Sequence, residues 1–222
     1  MSENKKILLL GGGGHCLSVL DSLLSSYNYK EIGIIEKDRQ AVEVFDNIKK
    51  QCKIPDVLVV GDDSDLSRLY AEGYREAFIT VGSIGDSSIR ERLHYTIKTI
   101  GYHIPNIVDK TGSISPYTTF GEGVYVGKRA IINAGSQIHD GAIINTASTI
   151  EHGCIIEKFV HVAPGSVLCG NVHIGMGTHI GAGSVIKQGL QIGEKTMIGI
   201  GSVVIKNIKG NITAYGNPCE EV

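Results

Sequence analysis

Eight histidines are the side chains of this chain best suited to moving protons, because an imidazole titrates near neutrality without help from its surroundings. Two of them, His161 and His179, stand 18 positions apart, and a third, His152, sits between Glu151 and Gly153. A different chemistry is suggested near the start, where Gly11, Gly12, Gly13 and Gly14 run into His15. A glycine run between a strand and a helix lets phosphate oxygens meet backbone N–H groups at the helix start. As a dinucleotide fingerprint it is incomplete, since Cys16 occupies the place of the third glycine, although Glu36 stands where a ribose hydroxyl could be bound. That favours a single nucleotide over NAD. The five cysteines (Cys16, Cys52, Cys154, Cys169, Cys219) are scattered and form no CxxC pair, so they are read as reduced thiols rather than a disulfide framework or a zinc site.

Two kinds of element must position these groups. In the first half, short aliphatic runs alternate with helix-like patterns: Lys6 to Leu10, His15 to Ser26, Glu31 to Ile35, Asp56 to Val60, Asp65 to Ala71, Ala77 to Val81 and Ser87 to Ile100. This alternation predicts a small, Rossmann-like parallel α/β sheet. Ile89, Leu93, Ile97 and Ile100 fall on one face of the last helix, the face expected to pack on the sheet. Pro105 cannot donate to a ladder and biases Ile104 to an extended conformation, which puts a boundary near 105 and gives domains 1–105 and 106–222.

Beyond it every sixth residue from Val108 to Val204 is apolar, without a break, and the residue four further on is mostly small, as at Ala130, Ser136, Ser148, Cys154, Ser166, Ser184 and Ser202. Neither an α-helix nor a hairpin sheet has period six; a solenoid with three short strands per coil of 18 residues does. Glycine, 29 of 222 residues against a usual share of roughly 7%, supplies the turns. Residues 18 apart then stack at about the interstrand spacing of 4.8 Å. His161 thus lies on His179, and His152 lies between Ala134 and Gly170, with nothing ionisable adjoining it along the axis.

Here the sequence resembles the hexapeptide-repeat family, the left-handed parallel β-helix acyltransferases. The stretch from Ile144 to Val172, which includes Ile150-Glu-His-Gly-Cys-Ile-Ile156, together with the Gly11 to His15 loop, is similar to one subfamily. Its members are N-acetyltransferases of nucleotide-linked 4-amino sugars and relatives that O-acetylate sialic acid. The resemblance implies acetyl coenzyme A as cosubstrate, no metal, and a homotrimer with each site shared between subunits. It implies His152 as general base, Asn145 lining the site, and His161 touching the thioester end as a hydrogen-bond donor. Gly170 is the candidate oxyanion donor through its N–H, and Gly181 and Gly199, with Gly175 and Gly193, form a smooth groove for the pantetheine arm. The tail Tyr215-Gly-Asn-Pro218 resembles the segment closing these helices near the adenine. Nucleotide contacts fall on the Gly11 to Gly14 loop, His15, Glu36, Lys37, Gly82 and Ser83. Many relatives carry an acid directly after the base; this chain has Gly153, so either Glu151 is the substitute partner or the acid is dispensable, and an acid introduced at 153 is expected to be tolerated or mildly activating.

With 21 basic against 23 acidic residues and a net charge of −2, the chain offers no electrostatic footprint for nucleic acid or an anionic membrane. No apolar stretch approaches the roughly 18 residues of a membrane span, and the start lacks a signal-peptide cleavage site, so a cytoplasmic location is expected. The activity expected is N-acetylation of a nucleotide-linked 4-amino sugar in surface glycan synthesis. Two alternatives stand beside it: acetylation of a hydroxyl, as on sialic acid, and a zinc lyase of the gamma carbonic anhydrase type, for which His139, His161, His173 and His179 are the available ligands.

Overall fold

The computed structural model describes residues 5–52 and 57–222; Asp56, expected to open the third strand, and the Cys52 thiol lie outside the described residues. Two compact units divide the chain, 1–82 with 92–105, and 83–91 with 106–222.

The first unit is a four-stranded parallel sheet in the order β3-β2-β1-β4, formed by β1 (Lys6–Leu10), β2 (Glu31–Ile35), β3 (Val57–Gly61) and β4 (Glu76–Ile79). Ile7, Leu8, Leu9 and Leu10 are wholly buried, as expected of a central parallel strand covered on both faces. Helices α1 (Gly14–Ser26), α2 (Arg39–Cys52), α3 (Leu66–Ala71) and α4 (Ser88–Ile100) connect or follow the strands. The sequence pattern does not disclose α2, in which charged and polar residues outnumber apolar ones. In α4 Leu93 and Ile97 are buried as expected, but Ile89 is 51% exposed and Arg90 is buried in its place. The side chain that turns inward at that end is thus a cation.

The second unit is a left-handed parallel β-helix of two-residue strands on three faces. The first face runs from Ile107–Val108 through Ile143–Ile144, His161–Val162, His179–Ile180 and Met197–Ile198, and ends in the hairpin of Thr213–Gly216 and Cys219–Glu221. The second runs from Ser113–Ile114 through Thr149–Ile150 to Val203–Val204, and the third from Thr119–Phe120 through Ile155–Ile156 and His173–Ile174 to Gln191–Ile192. Every pair of two-residue strands within these faces is in register at a spacing of 18, including His161 with His179, whereas the hairpin strand joins Met197–Ile198 at a spacing of 16. The period-six aliphatic residues form one continuous core from Val108 to Val204, and the small residues four positions on, Ser136, Ser148, Ser166, Ser184 and Ser202 among them, are wholly buried beside it. Their hydroxyls meet turn carbonyls: Ser166 Oγ donates to Gly181 O at 2.8 Å and Ser184 Oγ to Gly199 O at 2.9 Å. A serine suits this place because it is small enough for the prism and satisfies a carbonyl otherwise stranded in it.

Candidate active site

Each unit carries a set of groups with chemical potential. In the first, the loop between β1 and α1 is pinned from two sides. Thr80 Oγ1 donates to Gly11 O at 2.6 Å, and Gly12 N–H donates to Glu36 Oε2 at 2.8 Å. Gly11 adopts φ +110°, and a β-carbon there would lie 2.7 Å from Val81, so glycine is required. Around Gly13 and Gly14 the space is open, with nothing within 4 Å of an added β-carbon. Gly13 caps α1 without a side-chain partner, and no acidic residue occupies the first turn. The result is an uncovered helix start whose backbone N–H groups suit an anion. Gly82 stands beside His15, its β-carbon position 3.5 Å from that of the histidine.

Two expected nucleotide contacts are differently engaged. Glu36 holds Gly12 N–H with one carboxylate oxygen and Asp38 N–H with the other, at 2.9 Å, so its first task is to shape the loop; Lys37 beside it is exposed. Ser83 belongs to the second unit, where its carbonyl faces His161 Nδ1 at 2.8 Å.

In the second unit, His152 lies on the turn between Thr149–Ile150 and Ile155–Ile156, and is exposed. Its ring sits against Gly170: a β-carbon at 170 would come within 2.5 Å of Cε1 and Nε2. The glycine is what gives the imidazole its seat. Glu151 is held elsewhere, Oε2 accepting from Asn133 Nδ2 at 2.9 Å one coil away, and no hydrogen bond joins it to His152 among the described residues. Gly153 corrects the expectation that an acid is tolerated there. It adopts φ +68°, and a β-carbon would lie 2.3 Å from Asn171 Oδ1. An added side chain must displace Asn171 and take a backbone conformation costing about 1–2 kcal/mol.

Nine residues further along, His161 and His179 are nearly buried, with ring centroids 4.9 Å apart and planes at 77°. Asn145, which follows the strand Ile143–Ile144, places its amide nitrogen 3.1 Å from His161 Nε2. Burial first, and then the Arg90 guanidinium, lower the His179 pKa below the ordinary histidine value. Asn145, His161, His179, Ser83 and Arg90 thus form one cluster on the first face. Arg90 was not legible as part of it from the sequence, yet it shares a helix face with Leu93 and Ile97 at spacings of three and seven.

The glycines expected to line a groove have a common structural cause. A β-carbon at Gly175, Gly181 or Gly193 would come within 2.2–2.6 Å of backbone in the next coil, and one at Gly199 within 2.6 Å of Tyr215. The tail hairpin that begins at Thr213 pairs with Met197–Ile198 and closes the first face. His173 lies on the third face with Nε2 3.1 Å from Glu157 Oε1, apart from the His161 and His179 pair, and among the described residues no three His, Cys, Asp or Glu side chains group as metal ligands.

Residues 6–97 match the family described as the PglD N-terminal domain, and residues 153–188 match the bacterial transferase hexapeptide (six repeats). Among solved structures, the acetyltransferase domain of PglB from Neisseria gonorrhoeae in complex with acetyl coenzyme A is 29% identical, with a TM-score of 0.87 over 99% of this chain and 100% of that one. A mutant of perosamine N-acetyltransferase from Caulobacter crescentus, in complex with CoA and GDP-perosamine, is also 29% identical, with a TM-score of 0.84 over 98% and 96%. WeeI from Acinetobacter baumannii shares the fold at 21% identity, with a TM-score of 0.80 over 98% and 100%.

Proposed function

We propose, from the premise that this chain is a hexapeptide-repeat sugar acetyltransferase with a PglD-type N-terminal domain, that it moves an acetyl group from acetyl coenzyme A to the amine of a nucleotide-linked 4-amino sugar. The observation that carries this is the exposed His152 imidazole seated on Gly170, in a chain that matches acetyltransferases, a perosamine N-acetyltransferase among them, over 98% or more of its length. The amine nitrogen attacks the thioester carbonyl, and His152 takes the proton that the nitrogen must shed. The C–N bond forms, the C–S bond breaks, and the proton passes to the departing thiolate. Gly170 N–H, at the same corner, serves as a donor to the transient oxyanion.

Asn145, with His161 behind its amide, holds the thioester end, and the row of Gly175, Gly181, Gly193 and Gly199 leaves a path free of side chains for the pantetheine arm. The open α1 start at Gly13 and Gly14 receives the nucleotide phosphates, with His15 and Gly82 beside it. Glu36 supports that loop through Gly12, and Lys37 stands beside it. A homotrimer completes each site. Support for that assembly comes from the second face, whose outward positions Ile131, Thr149, Val167, Val185 and Val203 stack as a largely apolar stripe on which Ile131 and Val185 are 39% and 38% exposed. The product is an N-acetylated sugar of the kind used in surface glycans. The protein is expected to work in the cytoplasm, and no helix among the described residues is long and apolar enough to cross a membrane.

The test is release of the coenzyme A thiol across a panel of nucleotide-linked amino sugars, with free sialic acid as the contrast. Turnover restricted to the amines supports the proposal; turnover of sialic acid would transfer the reading to a hydroxyl acceptor.

A further inference from the structure

Residues 83–91 pack within the same unit as the β-helix, and two of them bear on the first-face cluster. The first is Ser83, through its carbonyl. Asn145 Oδ1 accepts Thr146 N–H at 2.8 Å, which fixes the amide so that its nitrogen is the atom facing His161 Nε2 at 3.1 Å. An amide nitrogen only donates, so Nε2 must accept. The ring hydrogen then resides on Nδ1, where the Ser83 carbonyl, at 2.8 Å, receives it. In such a chain the tautomer of an imidazole is set by what its two nitrogens meet.

The second residue is Arg90, 3% exposed. It donates to Gly141 O at 2.7 Å and to Phe159 O, two turn carbonyls stacked 18 residues apart. Burial pulls the guanidinium down to about 10, and these carbonyls, not a carboxylate, are what its hydrogen bonds find. A buried cation loses far more than one hydrogen bond when such partners go, which makes the attachment strong. This clamp lies seven positions along the chain from the carbonyl that meets His161.

We propose that Arg90 is a positioning residue: by clamping residues 83–91 to the β-helix it keeps the Ser83 carbonyl on His161, and so fixes His161 as the Nδ1–H tautomer. This rests on the transferase reading only in its consequence. With both ring nitrogens committed, the donor available to an acyl oxygen is the second hydrogen of the Asn145 amide rather than the ring.

Nitrogen-15 NMR of the full chain with labelled histidine reads which ring nitrogen carries hydrogen, His161 being assigned by its loss in His161→Phe. The wild type should show His161 with hydrogen on Nδ1 and none on Nε2. In Arg90→Met the Nδ1–H form should give way to a mixture, and Arg90→Lys, which keeps a cation able to reach one carbonyl, should fall between. Asn145→Asp presents an acceptor to Nε2 and should move hydrogen there. An Nε2–H tautomer in the wild type would overturn the proposal, as would an unchanged tautomer in Arg90→Met or Arg90→Lys protein with native circular dichroism. No substrate enters the measurement, so failure of acetyl transfer would count against the function and leave this assignment standing.

Discussion

At the scale of single residues, the proposed chemistry turns on one exposed imidazole and its unusual neighbours. A positioned histidine base typically contributes about 10² to 10⁴ in rate, so His152→Ala should lower kcat by that order with little change in coenzyme A affinity. Retention of more than about a third of wild-type kcat would remove His152 from the role. Glu151→Gln should leave kcat within about threefold, because the carboxylate is bonded to Asn133 and not to the imidazole. Gly153→Glu should cost roughly 1–3 kcal/mol of stability, read as a shift in the urea midpoint, since Asn171 stands where the side chain would begin. His179 gives a pH signature of its own. Its folded-state pKa is lowered, so the unfolded chain binds the proton first as pH falls. Stability is therefore lost as pH drops below the unfolded value of roughly 6.5 toward the lower folded one. His179→Gln should flatten the dependence of unfolding free energy on pH in that window, whereas an unchanged slope would assign the dependence to other groups.

At the scale of elements, the coil is what converts sequence spacing into site geometry. Gly181→Ala places a methyl 2.6 Å from the backbone of Gly199 and should destabilise the chain by about 1–3 kcal/mol through overpacking. Differential scanning calorimetry checks this, and an unshifted transition would show that the coils can separate locally. The aliphatic period of six was legible because the prism admits one inward side chain per strand, and that same period placed His161 on His179 and Gly170 beside His152. Less visible was a second glycine register three residues after each inward residue. Gly135, Gly141, Gly153, Gly165 and Gly177 turn there with φ between 65° and 75°, but Ala147 and Phe159 take the same corner at 55° and 59° and break the pattern. Helix α2 is not legible in the sequence because its residues are mainly polar; among its described side chains Phe45 is buried. Arg90 is not legible either, because an arginine beside isoleucine reads as solvated, and only the carbonyls of Gly141 and Phe159, far away in sequence, give it a reason to be inside.

At the scale of the whole molecule, the proposed function assigns a different task to each unit. The first offers an uncovered helix start, and the second carries the imidazole with the Asn145 and His161 pair. If the apolar stripe on the second face is a subunit interface, sedimentation should give about three times 23.8 kDa, and Val185→Glu within it should yield smaller species with lower activity. An active monomer would refute both the assembly and the shared site. Gly13→Val should obstruct the phosphate approach and weaken nucleotide binding while leaving coenzyme A binding intact, a separation that calorimetry resolves. The most direct test of the central claim is the rate of thiol release from acetyl coenzyme A with a nucleotide-linked 4-amino sugar, compared between the wild type and His152→Ala. Saturable release matched by formation of an amide, and reduced by about 10² or more in the variant, is expected. Release that occurs equally without the amino sugar, or that survives unchanged in His152→Ala, would contradict that claim.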